Sequence, residues 1–374
     1  MTRREFLKVS AVGLAMSAAP SQRLSLNDRL TCAFIGVGGR GTYLLDTALD
    51  NLPEVDVVAV CDINPEKLKN AVQLVEQKRG KKPDAIGGGG EKDNFAYRKI
   101  LERKDIDTLV IATPCNWHYP MYADAIKAGK HFYGEKPMCI SVKEAGEIVA
   151  LARRNPKVVI EIGYQWCANP RFQESIAAVK RGEIGELIEG RSAWDNAWGP
   201  LRGWFSHRKE SGDWMVEQAC HAWNIYYLLL GETPIRAFAI GRRDIYARDE
   251  PRRDVTDFYA TVIEWRNFWL TFVHTWGVPQ GFGWGGLWVL GTQGACEISS
   301  GRLLYKDKPE RRVGYDVNDT LELLRDFFDC VRTGKKPLSS VENGRASVLI
   351  GLLVRLAVDR RGIATWKELT GTAR

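Results

Sequence analysis

The amino-acid sequence predicts an α/β protein whose first part is a doubly wound parallel sheet and whose second part is another domain. Three observations support this. A glycine-rich turn joins an apolar strand to a helix near residue 36, and strand and helix patterns then alternate as far as residue 155. The chain of 374 residues also exceeds what one hydrophobic core usually organises. We place the first domain at residues 27–150 and the second at 151–374.

The glycine-rich turn, GVGGRG at residues 36–41, has the spacing G-x-G-x-x-G. In this motif the first glycine permits a tight turn, the second lets the backbone approach a pyrophosphate, and the third lets helix and strand pack closely. The helix that follows presents free N–H groups and the positive end of its dipole, which favour anions. The turn therefore predicts a dinucleotide-binding site.

The second predicted strand, VDVVAVCD, ends in an acidic residue, Asp62, 21 residues after the last glycine of the turn. An acidic side chain at this place hydrogen-bonds the adenosine ribose, and its charge would repel the 2′-phosphate of NADP. The residues that follow, Ile63-Asn64-Pro65, include no arginine to reverse that preference. We therefore expect NAD as the cofactor, with NADP less favoured.

Further strand and helix patterns complete the sheet. The apolar segments IDTLVIATP and HFYGEKP predict buried strands, whereas residues 81–94, with four glycines at 87–90, predict a flexible solvent loop. Ligands of doubly wound sheets bind beyond the carboxyl ends of the strands. The sequences ATPCNWH, residues 112–118, and GEKP, residues 134–137, stand at two such ends and are expected to face the ligand.

These motifs, together with GYQWCANP at residues 163–170 and a later histidine, resemble the Gfo/Idh/MocA family, the oxidoreductases related to glucose–fructose oxidoreductase and inositol dehydrogenases. The likeness covers nearly the whole chain after residue 27. It implies a Rossmann domain followed by an α/β domain with a large, open, mainly antiparallel sheet. Because that sheet often makes oligomer contacts in the family, a homo-oligomer, either dimer or tetramer, is expected.

The resemblance also implies roles for residues at matching positions. Lys136 resembles the lysine that contacts both the nicotinamide ribose and the reacting hydroxyl, and Glu135 resembles its partner. The chemistry agrees, because burial and a nearby acid easily tune the pKa of a lysine. Gln165 is expected to bind the nicotinamide amide. The expected cofactor contacts are Gly36, Gly38, Gly39, Arg40, Gly41, Asp62, Thr113, Pro114, Asn116, His118, Glu135, Lys136 and Gln165.

A second group of candidate residues lies in an apolar segment, residues 214–230, that predicts a helix. Glu217 and His221 are four residues apart, which places them on one face of that helix. The segment resembles the family's G-x-x-x-x-D-x-x-x-H element, so His221 is expected to act as the general base. Glu217 replaces the usual aspartate and would contact substrate or orient His221. Lys136, His221 and Glu217 are thus the expected catalytic residues, and no metal is expected.

The first 26 residues form a separate segment. TRREFLK resembles the twin-arginine export signal, with Arg3 and Arg4 as the paired arginines, and the apolar run that follows is too short to span a bilayer. We therefore expect export of the folded protein to the periplasm, with the twin-arginine translocation machinery as a partner. The eight widely spaced cysteines fit folding in a reducing compartment, mostly as small buried apolar residues.

Composition bears on the substrate. The net charge of +7 is spread among acidic residues without a basic stripe, which argues against nucleic-acid binding. Of 13 tryptophans, 11 fall between residues 166 and 288, and Trp194, Trp198, Trp204 and Trp214 precede His221 closely. Aromatic faces stack on the C–H surfaces of sugars, so a carbohydrate or polyol is expected. Trp166 and Cys167 replace an arginine pair found in many relatives, which argues against a strongly anionic substrate.

Two function classes remain open at this point. The first is an NAD-linked oxidoreductase acting on a sugar, glycoside or polyol, with a tightly held cofactor. The second is a glycoside hydrolase or lyase in which transient oxidation by bound NAD permits cleavage by elimination. A cofactor-binding protein without catalysis fits poorly with the presence of both Lys136 and His221.

Overall fold

Two β-sheets organise the part of the chain that the computed structural model describes, which is residues 29–197, 199, 201–246, 250, 252–282 and 285–371. The expected export segment, residues 1–26, and Trp198 lie outside these residues. The sequence prediction of an α/β fold with a parallel first sheet and a mainly antiparallel second sheet is confirmed.

The first sheet has six parallel strands in the order β3-β2-β1-β4-β5-β6. The direction of winding reverses between β1 and β4, and the crevice at such a reversal is where doubly wound sheets bind ligands. The strands are β1 (Leu30–Ile35), β2 (Val55–Asp62), β3 (Asp84–Gly87), β4 (Thr108–Ile111), β5 (His131–Gly134) and β6 (Ile160–Ile162).

Helices connect these strands and cover both faces of the sheet. They are α1 (Gly39–Asn51), α2 (Pro65–Arg79), α3 (Arg98–Leu101), α4 (His118–Lys127) and α5 (Val142–Arg154). The bounds of α2 follow from its sequence, because the Asn64 side chain accepts hydrogen bonds from two N–H groups of the first turn and Pro65 begins the helix. The helix ends at Gly80, which has the left-handed conformation that glycine adopts without strain.

The second sheet has nine strands in the order β14-β13-β12-β11-β7-β10-β9-β8-β15. All neighbouring strands are antiparallel except the central pair, β7 and β10, which run parallel. The strands are β7 (Leu187–Asn196), β8 (Arg236–Arg242), β9 (Phe258–Glu264), β10 (Trp269–Trp276), β11 (Gly286–Gly291), β12 (Gly294–Glu297), β13 (Arg302–Tyr305), β14 (Arg311–Arg312) and β15 (Ile363–Thr365).

The helices of the second half are α6 (Pro170–Lys180), α7 (Arg208–Ser211), α8 (Trp214–Glu217), α9 (Cys220–Leu230), α10 (Asp319–Thr333), α11 (Val341–Arg360) and α12 (Trp366–Thr370). Strand alternation places Ala237, Leu270 and Phe272 on the inner face, where they share a core with α9 and α11. Within the described residues, no helix has the length and apolar character needed to cross a membrane.

The structure differs from the sequence prediction at two places in the first sheet. The predicted flexible loop at residues 81–94 contains β3, which pairs with β2, so Ala85 and Ile86 belong to the sheet. The last strand, β6, begins at Ile160, beyond the domain boundary predicted at residue 150. Both strands are short and lie at the sheet edges, where the apolar runs are too brief to stand out in the sequence.

Helix α10 returns from the second half of the chain to the first domain. Its side chains Leu324, Phe327 and Phe328 are buried in one core with Phe34 of β1 and Leu44 of α1. The two domains are therefore joined through packing as well as through the chain.

All eight cysteines are buried and free, as the sequence predicts.

A buried carboxyl pair fastens the segment after α10 to β6. Glu161 accepts a hydrogen bond from the Ser339 N–H at 2.7 Å, and Asp326 accepts one from the Leu338 N–H at 2.9 Å. The ammonium of Lys335 lies 2.9 Å from Asp326. With Cys330, the two carboxylates bring three candidate metal-ligand atoms within 4.8 Å of one another, but Lys335 and the backbone N–H groups already engage them. Burial, reinforced by the charge of Asp326, raises the pKa of Glu161 well above its ordinary value.

Glu161→Gln is expected to stabilise the protein at pH 8 and to change its stability little near pH 4. Glutamine keeps an acceptor for the Ser339 N–H and, like the protonated acid, carries no charge. Above its ordinary pKa, Glu161 loses its proton in the unfolded chain but keeps it in the folded protein, so folding becomes less favourable as the pH rises. We expect the variant to raise Tm at pH 8 by about 2 °C or more. Thermal unfolding at both pH values checks this, with the exposed Glu102→Gln as control. A loss of Tm at both pH values would contradict the protonated state of Glu161.

Candidate active site

A cleft of about 700 Å³ lies between the carboxyl ends of the first-domain strands and a segment of the second domain. From the first domain it is lined by the glycine turn, by Asp62, and by residues that follow β4 and β5. From the second domain it is lined by Leu201, Trp204, Phe205, Glu217 and Gln218. The cleft thus lies at the reversal of strand order, where a dinucleotide binds in sheets of this kind.

The glycine turn has the geometry that a pyrophosphate requires. Gly36 has φ +80°, and a Cβ atom on it would lie 2.5 Å from the carbonyl oxygen of Ala112. A Cβ atom on Gly41 would lie 1.8 Å from the carbonyl oxygen of Gly36, so neither position accepts a side chain. A Cβ atom on Gly38, by contrast, would meet only the Lys67 ammonium, 3.5 Å away. The turn is closed toward the sheet and open toward the cleft, at the N-terminus of α1, and therefore fits a dinucleotide phosphate.

Asp62 is held at the other side of this turn by backbone N–H groups. Its carboxylate accepts hydrogen bonds from Val37 at 2.9 Å and Asn64 at 2.8 Å. The glycine run at residues 87–90 packs beneath it, since Gly88 donates its N–H to the Asp62 carbonyl at 2.9 Å. This run, predicted as a solvent loop, therefore supports the end of β2. Its role could not be inferred from composition, because it depends on pairing between strands β2 and β3.

Glu135 is paired with Arg40, which corrects the expectation that it would partner Lys136. The Arg40 Nε lies 2.7 Å from Glu135 Oε1, and the hydroxyl of Tyr133 donates to the same oxygen at 3.2 Å. The physical reason is direction, because neighbouring side chains at the end of an extended strand point to opposite sides. Glu135 faces α1 and the glycine turn, whereas Lys136 faces the second domain. Arg40 and Glu135 both line the cleft.

Lys136 is paired with Glu217 of the second domain. Its ammonium lies 2.6 Å from Glu217 Oε1 and 2.7 Å from the Glu217 carbonyl oxygen. Both side chains are largely buried, with 14% and 7% of their surface exposed. Burial alone would lower the pKa of Lys136, but the charge of Glu217 outweighs it and raises that pKa above its ordinary value. Lys136 therefore remains an ammonium group at the junction of the two domains.

The predicted helix at residues 214–230 is interrupted next to Glu217. Helix α8 ends at Glu217, and α9 begins at Cys220. The N–H of Ala219 reaches back five residues to the Trp214 carbonyl, at 2.9 Å, which is a local widening of the helix. The Glu217 carbonyl is thereby available to the ammonium of Lys136. The sequence prediction of a continuous helix was wrong here, because the interruption depends on a contact with a residue 81 positions away.

His221 is buried at the start of α9 among aromatic rings. Its ring centroid lies 4.9 Å from that of Trp166 and 5.9 Å from that of Tyr164. Burial lowers the pKa of His221 well below its ordinary value, and the positive charges of Lys136 and Arg40 act in the same direction. The imidazole is therefore neutral at pH 7. Its Nδ1 atom has no hydrogen-bond partner among the described residues.

The remaining expected residues are divided between the cleft and its support. Thr113, Pro114 and Gln165 line the cleft. His118 instead lies behind it, with Nδ1 2.6 Å from the Pro137 carbonyl oxygen and Nε2 2.8 Å from that of Thr113. His118 thus joins the segment after β4 to the segment that carries Lys136. It supports the cleft and does not line it, in contrast to the expected cofactor contact. Asn116 and His221 are likewise absent from the residues that line the cleft in the described part of the chain.

Several cleft residues were not anticipated from the sequence. They include Lys67, Asp93, Tyr97, Leu201, Phe205 and Gln218. Gln218 follows Glu217 directly, so adjacency could have indicated it. Leu201 and Phe205 carry no such indication, because they come from an irregular segment whose position depends on the second sheet.

The glycine turn, the reversal of strand order and the cleft between the two domains define a dinucleotide-binding protein of the Rossmann type as the class. Comparison with known families agrees. Residues 30–163 match the description "Oxidoreductase family, NAD-binding Rossmann fold", and residues 172–297 match the "GFO/IDH/MocA C-terminal domain". The chain belongs to the Gfo/Idh/MocA family of oxidoreductases.

Individual relatives extend this comparison. A glycosyl hydrolase family 109 protein of Shewanella woodyi is 35% identical over 161 residues, which cover 43% of this chain and 33% of that protein. The alpha-N-acetylgalactosaminidase of Shewanella oneidensis is 32% identical over 163 residues, 43% of this chain and 34% of that protein. The match therefore spans about a third of the length of these relatives.

A solved structure shows the shared fold. The aldose-aldose oxidoreductase of Caulobacter crescentus, complexed with glycerol, has a TM-score of 0.74 to this chain at 21% identity. The likeness covers 90% of this chain and 99% of that one. At this level of identity the comparison concerns the fold, and it includes both sheets because nearly the whole of each chain is covered.

Lys136→Met is expected to destabilise the protein by about 3 kcal/mol, because it leaves the Glu217 carboxylate buried without its cation. In the double variant Lys136→Met, Glu217→Gln no charge remains to be compensated, so most of that loss should be recovered. Urea unfolding of the wild type, both single variants and the double variant measures this. Lys143→Met, which removes an exposed ammonium 3.9 Å from Glu147, is the control and should change stability by less than about 0.5 kcal/mol. Equal losses in the Lys136→Met single variant and the double variant would contradict the coupling.

Proposed function

We propose that this protein transfers a hydride between a CH–OH carbon of a sugar, glycoside or polyol and a tightly bound nicotinamide dinucleotide. The observation that supports this best is the Lys136 ammonium, held 2.6 Å from Glu217 where the dinucleotide cleft meets the second domain. A cation in that place can polarise the oxygen of the carbon that reacts.

Lys136 would donate a hydrogen bond to the substrate hydroxyl and stabilise the negative charge that develops on its oxygen. Its raised pKa keeps the group protonated, so it acts as a hydrogen-bond donor at neutral pH and does not accept the proton. Glu217 fixes the ammonium through its carboxylate and its carbonyl oxygen, which limits the positions that Lys136 can take. Orientation of this kind lowers the entropic part of the barrier.

His221 is the proposed acceptor of the hydroxyl proton. A base must be neutral before it can act, and the lowered pKa of His221 meets that condition at pH 7. The nicotinamide, when bound, supplies the hydride acceptor. Oxidation of the alcohol then yields a carbonyl group, with the proton on His221. Return of the hydride and the proton to the carbonyl group of a second substrate would complete the cycle without free cofactor.

We propose NAD rather than NADP as the cofactor because the Asp62 carboxylate lines the adenosine side of the cleft. A 2′-phosphate there would meet a negative charge, although the Lys67 ammonium also lines this region. Asp62→Asn removes the charge and keeps one carbonyl oxygen, so it retains an acceptor for one of the two backbone N–H groups, those of Val37 and Asn64, that the carboxylate binds. If the carboxylate determines the preference, the ratio of NAD to NADP affinity falls about tenfold in this variant, as measured by calorimetry.

A second candidate function is redox-neutral cleavage of a glycoside, which the glycosyl hydrolase names of the Shewanella relatives favour. In such a reaction Lys136 and His221 would serve the same oxidation. The carbonyl formed would acidify a neighbouring C–H bond, the glycosidic bond would break by elimination, and the hydride would return after water had added. The two functions differ in products, since one changes the oxidation state of the sugar and the other releases an alcohol.

The test of both functions is a single assay of the exported, purified protein with its cofactor. Neutral sugars, polyols and aryl glycosides are supplied, and absorbance of reduced nicotinamide and release of the aryl alcohol are recorded together. Oxidation without alcohol release supports the first function, and alcohol release without net reduction supports the second. Lys136→Ala should abolish either reaction while the bound cofactor, measured by mass spectrometry, is retained. Full activity of that variant would refute the proposed role of Lys136.

We expect the protonation of His221 to determine how kcat/KM falls at low pH. Because burial and two nearby cations lower its pKa, the fall of kcat/KM at low pH should lie below pH 6.5, the ordinary value for histidine. His221→Asn should lower kcat by about 10²- to 10⁴-fold and remove that acidic limb. Rates from pH 4 to pH 9 in wild type and variant measure this. An unchanged limb in His221→Asn would assign the titration to another group.

We also propose that the protein is exported to the periplasm by the twin-arginine translocation machinery, on the basis of Arg3 and Arg4 in the first 26 residues. Cell fractionation of an Arg3→Lys, Arg4→Lys variant tests this, since the paired arginines are required for the route. Accumulation of that variant in the periplasm at the wild-type level would count against it.

We propose that the protein forms a homo-oligomer through the outer face of the nine-stranded sheet. Phe238, Ile240, Val262 and Trp269 alternate with buried residues and are each exposed by more than 40%. An apolar face of this kind commonly pairs with another protein surface. Sedimentation of the wild type and of Ile240→Glu tests the proposal, which predicts dissociation of the variant.

A further inference from the structure

The cleft has two groups of lining residues near Lys136, here called the polar wall and the apolar wall, and they differ in chemistry. One wall is polar and consists of Lys136, Glu217, Gln165 and Gln218. The other is apolar and comes from the second-domain segment at residues 201–206, which contributes Leu201, Trp204 and Phe205. Because a dinucleotide occupies the carboxyl ends of the first-domain strands, second-domain side chains face what lies beyond the nicotinamide. The two walls therefore bound the space that is left for substrate.

The apolar wall is a fixed surface of two stacked rings. The centroids of Trp204 and Phe205 lie 3.7 Å apart with an angle of 25° between the ring planes. The segment is anchored at Leu201, whose carbonyl oxygen accepts a hydrogen bond from Arg253 at 3.0 Å. Arg253 in turn forms a buried ion pair with Asp257 at 2.9 Å. Arg253, held by Asp257 just before β9, thus fixes the beginning of the segment that carries the rings.

The polar wall carries no uncompensated charge in the described part of the chain. Lys136 is neutralised by Glu217, and Arg40 is neutralised by Glu135. The other charged groups that line the cleft are Asp62, Lys67 and Asp93. They belong to the end of β2, to α2 and to the segment after β3, which lie on the opposite side of the strand-order reversal. A fully anionic substituent near Lys136 would therefore meet only cations whose charge a carboxylate already balances.

Two buried acceptor atoms on the polar wall lack partners among the described residues. They are Gln165 Oε1 and Glu217 Oε2. A buried acceptor without a hydrogen bond is costly, and such atoms are satisfied by ligand or water where a protein retains them. Both atoms accept hydrogen bonds, so they match hydroxyl donors and would repel a carboxylate or a phosphate.

We infer that this part of the cleft is a subsite for one uncharged sugar ring, with hydroxyl groups toward Gln165 and Glu217 and a C–H face against the outer side of the stacked Trp204–Phe205 pair. The inference rests on the proposed function and narrows its substrate class. The subsite accepts neutral sugars and excludes uronic acids and sugar phosphates, because these would lose hydration of their charge without gaining an ion pair. Trp204 and Phe205 determine the affinity together, since one ring contacts the apolar side of the pyranose and the other ring stacks behind it.

The experiment measures sugar binding to the holoenzyme by calorimetry, in matched sets of one neutral sugar, its uronic acid and its 6-phosphate. The neutral sugars are those turned over in the assay of the proposed function. We expect each neutral sugar to bind at least about tenfold more tightly than either anionic partner. Trp204→Leu and Phe205→Leu should each weaken neutral-sugar binding about tenfold, whereas Trp204→Phe should retain most of it. The nicotinamide content of every variant should equal that of the wild type.

The control is Phe282→Leu, which removes a ring with 66% exposure outside the cleft and should bind sugar as the wild type does. The subsite hypothesis is overturned if neutral and anionic sugars bind equally, or if both leucine variants bind sugar as the wild type does. In either case, turnover of a sugar would still support the proposed function. If no sugar or glycoside is turned over or bound, the proposed function itself fails and the subsite falls with it. If one leucine variant does not fold, the other alone makes the comparison, and the preference of the wild type for neutral over anionic sugars is tested without any variant.

Discussion

The ion pair between Lys136 and Glu217 is the interaction on which the site depends. It joins the end of a first-domain strand to the second domain, at 2.6 Å and with both groups largely buried. Burying two charges is costly unless geometry and additional hydrogen bonds compensate, and here the Glu217 carbonyl supplies the additional bond. The widened turn after Glu217 provides that carbonyl. A local irregularity in one helix, a strand end and the relative position of two domains are therefore parts of one arrangement.

The same arrangement determines the balance of charges in the cleft. Arg40 and Glu135 form a second pair on the glycine-turn side, so the positive groups closest to the reacting end are compensated within the protein. His221 lies among tryptophan and tyrosine rings, where burial keeps it neutral. A charged lysine and a neutral histidine differ here because one has a carboxylate partner and the other has aromatic neighbours. Environment, more than residue type, gives each group its protonation state.

Much of this could be predicted from the sequence where the determinants are local. The glycine turn, Asp62 and the motif that contains Lys136 each depend on residues close together in the chain, and the structure places all three on one cleft. The partner of Lys136 was misjudged, because Glu135 is adjacent in sequence while Glu217 is adjacent only in space. Strand β3 was missed, since its four residues gain their stability from pairing with β2. The segment that carries Phe205 is held at Leu201 by Arg253, which no local pattern in the sequence connects to it.

Helix α10 has a consequence for how the protein is made. Its phenylalanines complete a core whose other members come from β1 and α1, near the beginning of the described chain. The cofactor domain therefore cannot close its core until synthesis has passed residue 333. A chain truncated before α10 would expose the apolar surface of Phe34 and Leu44 on its dinucleotide-binding half. The boundary between the two domains in sequence is therefore not the boundary between their cores.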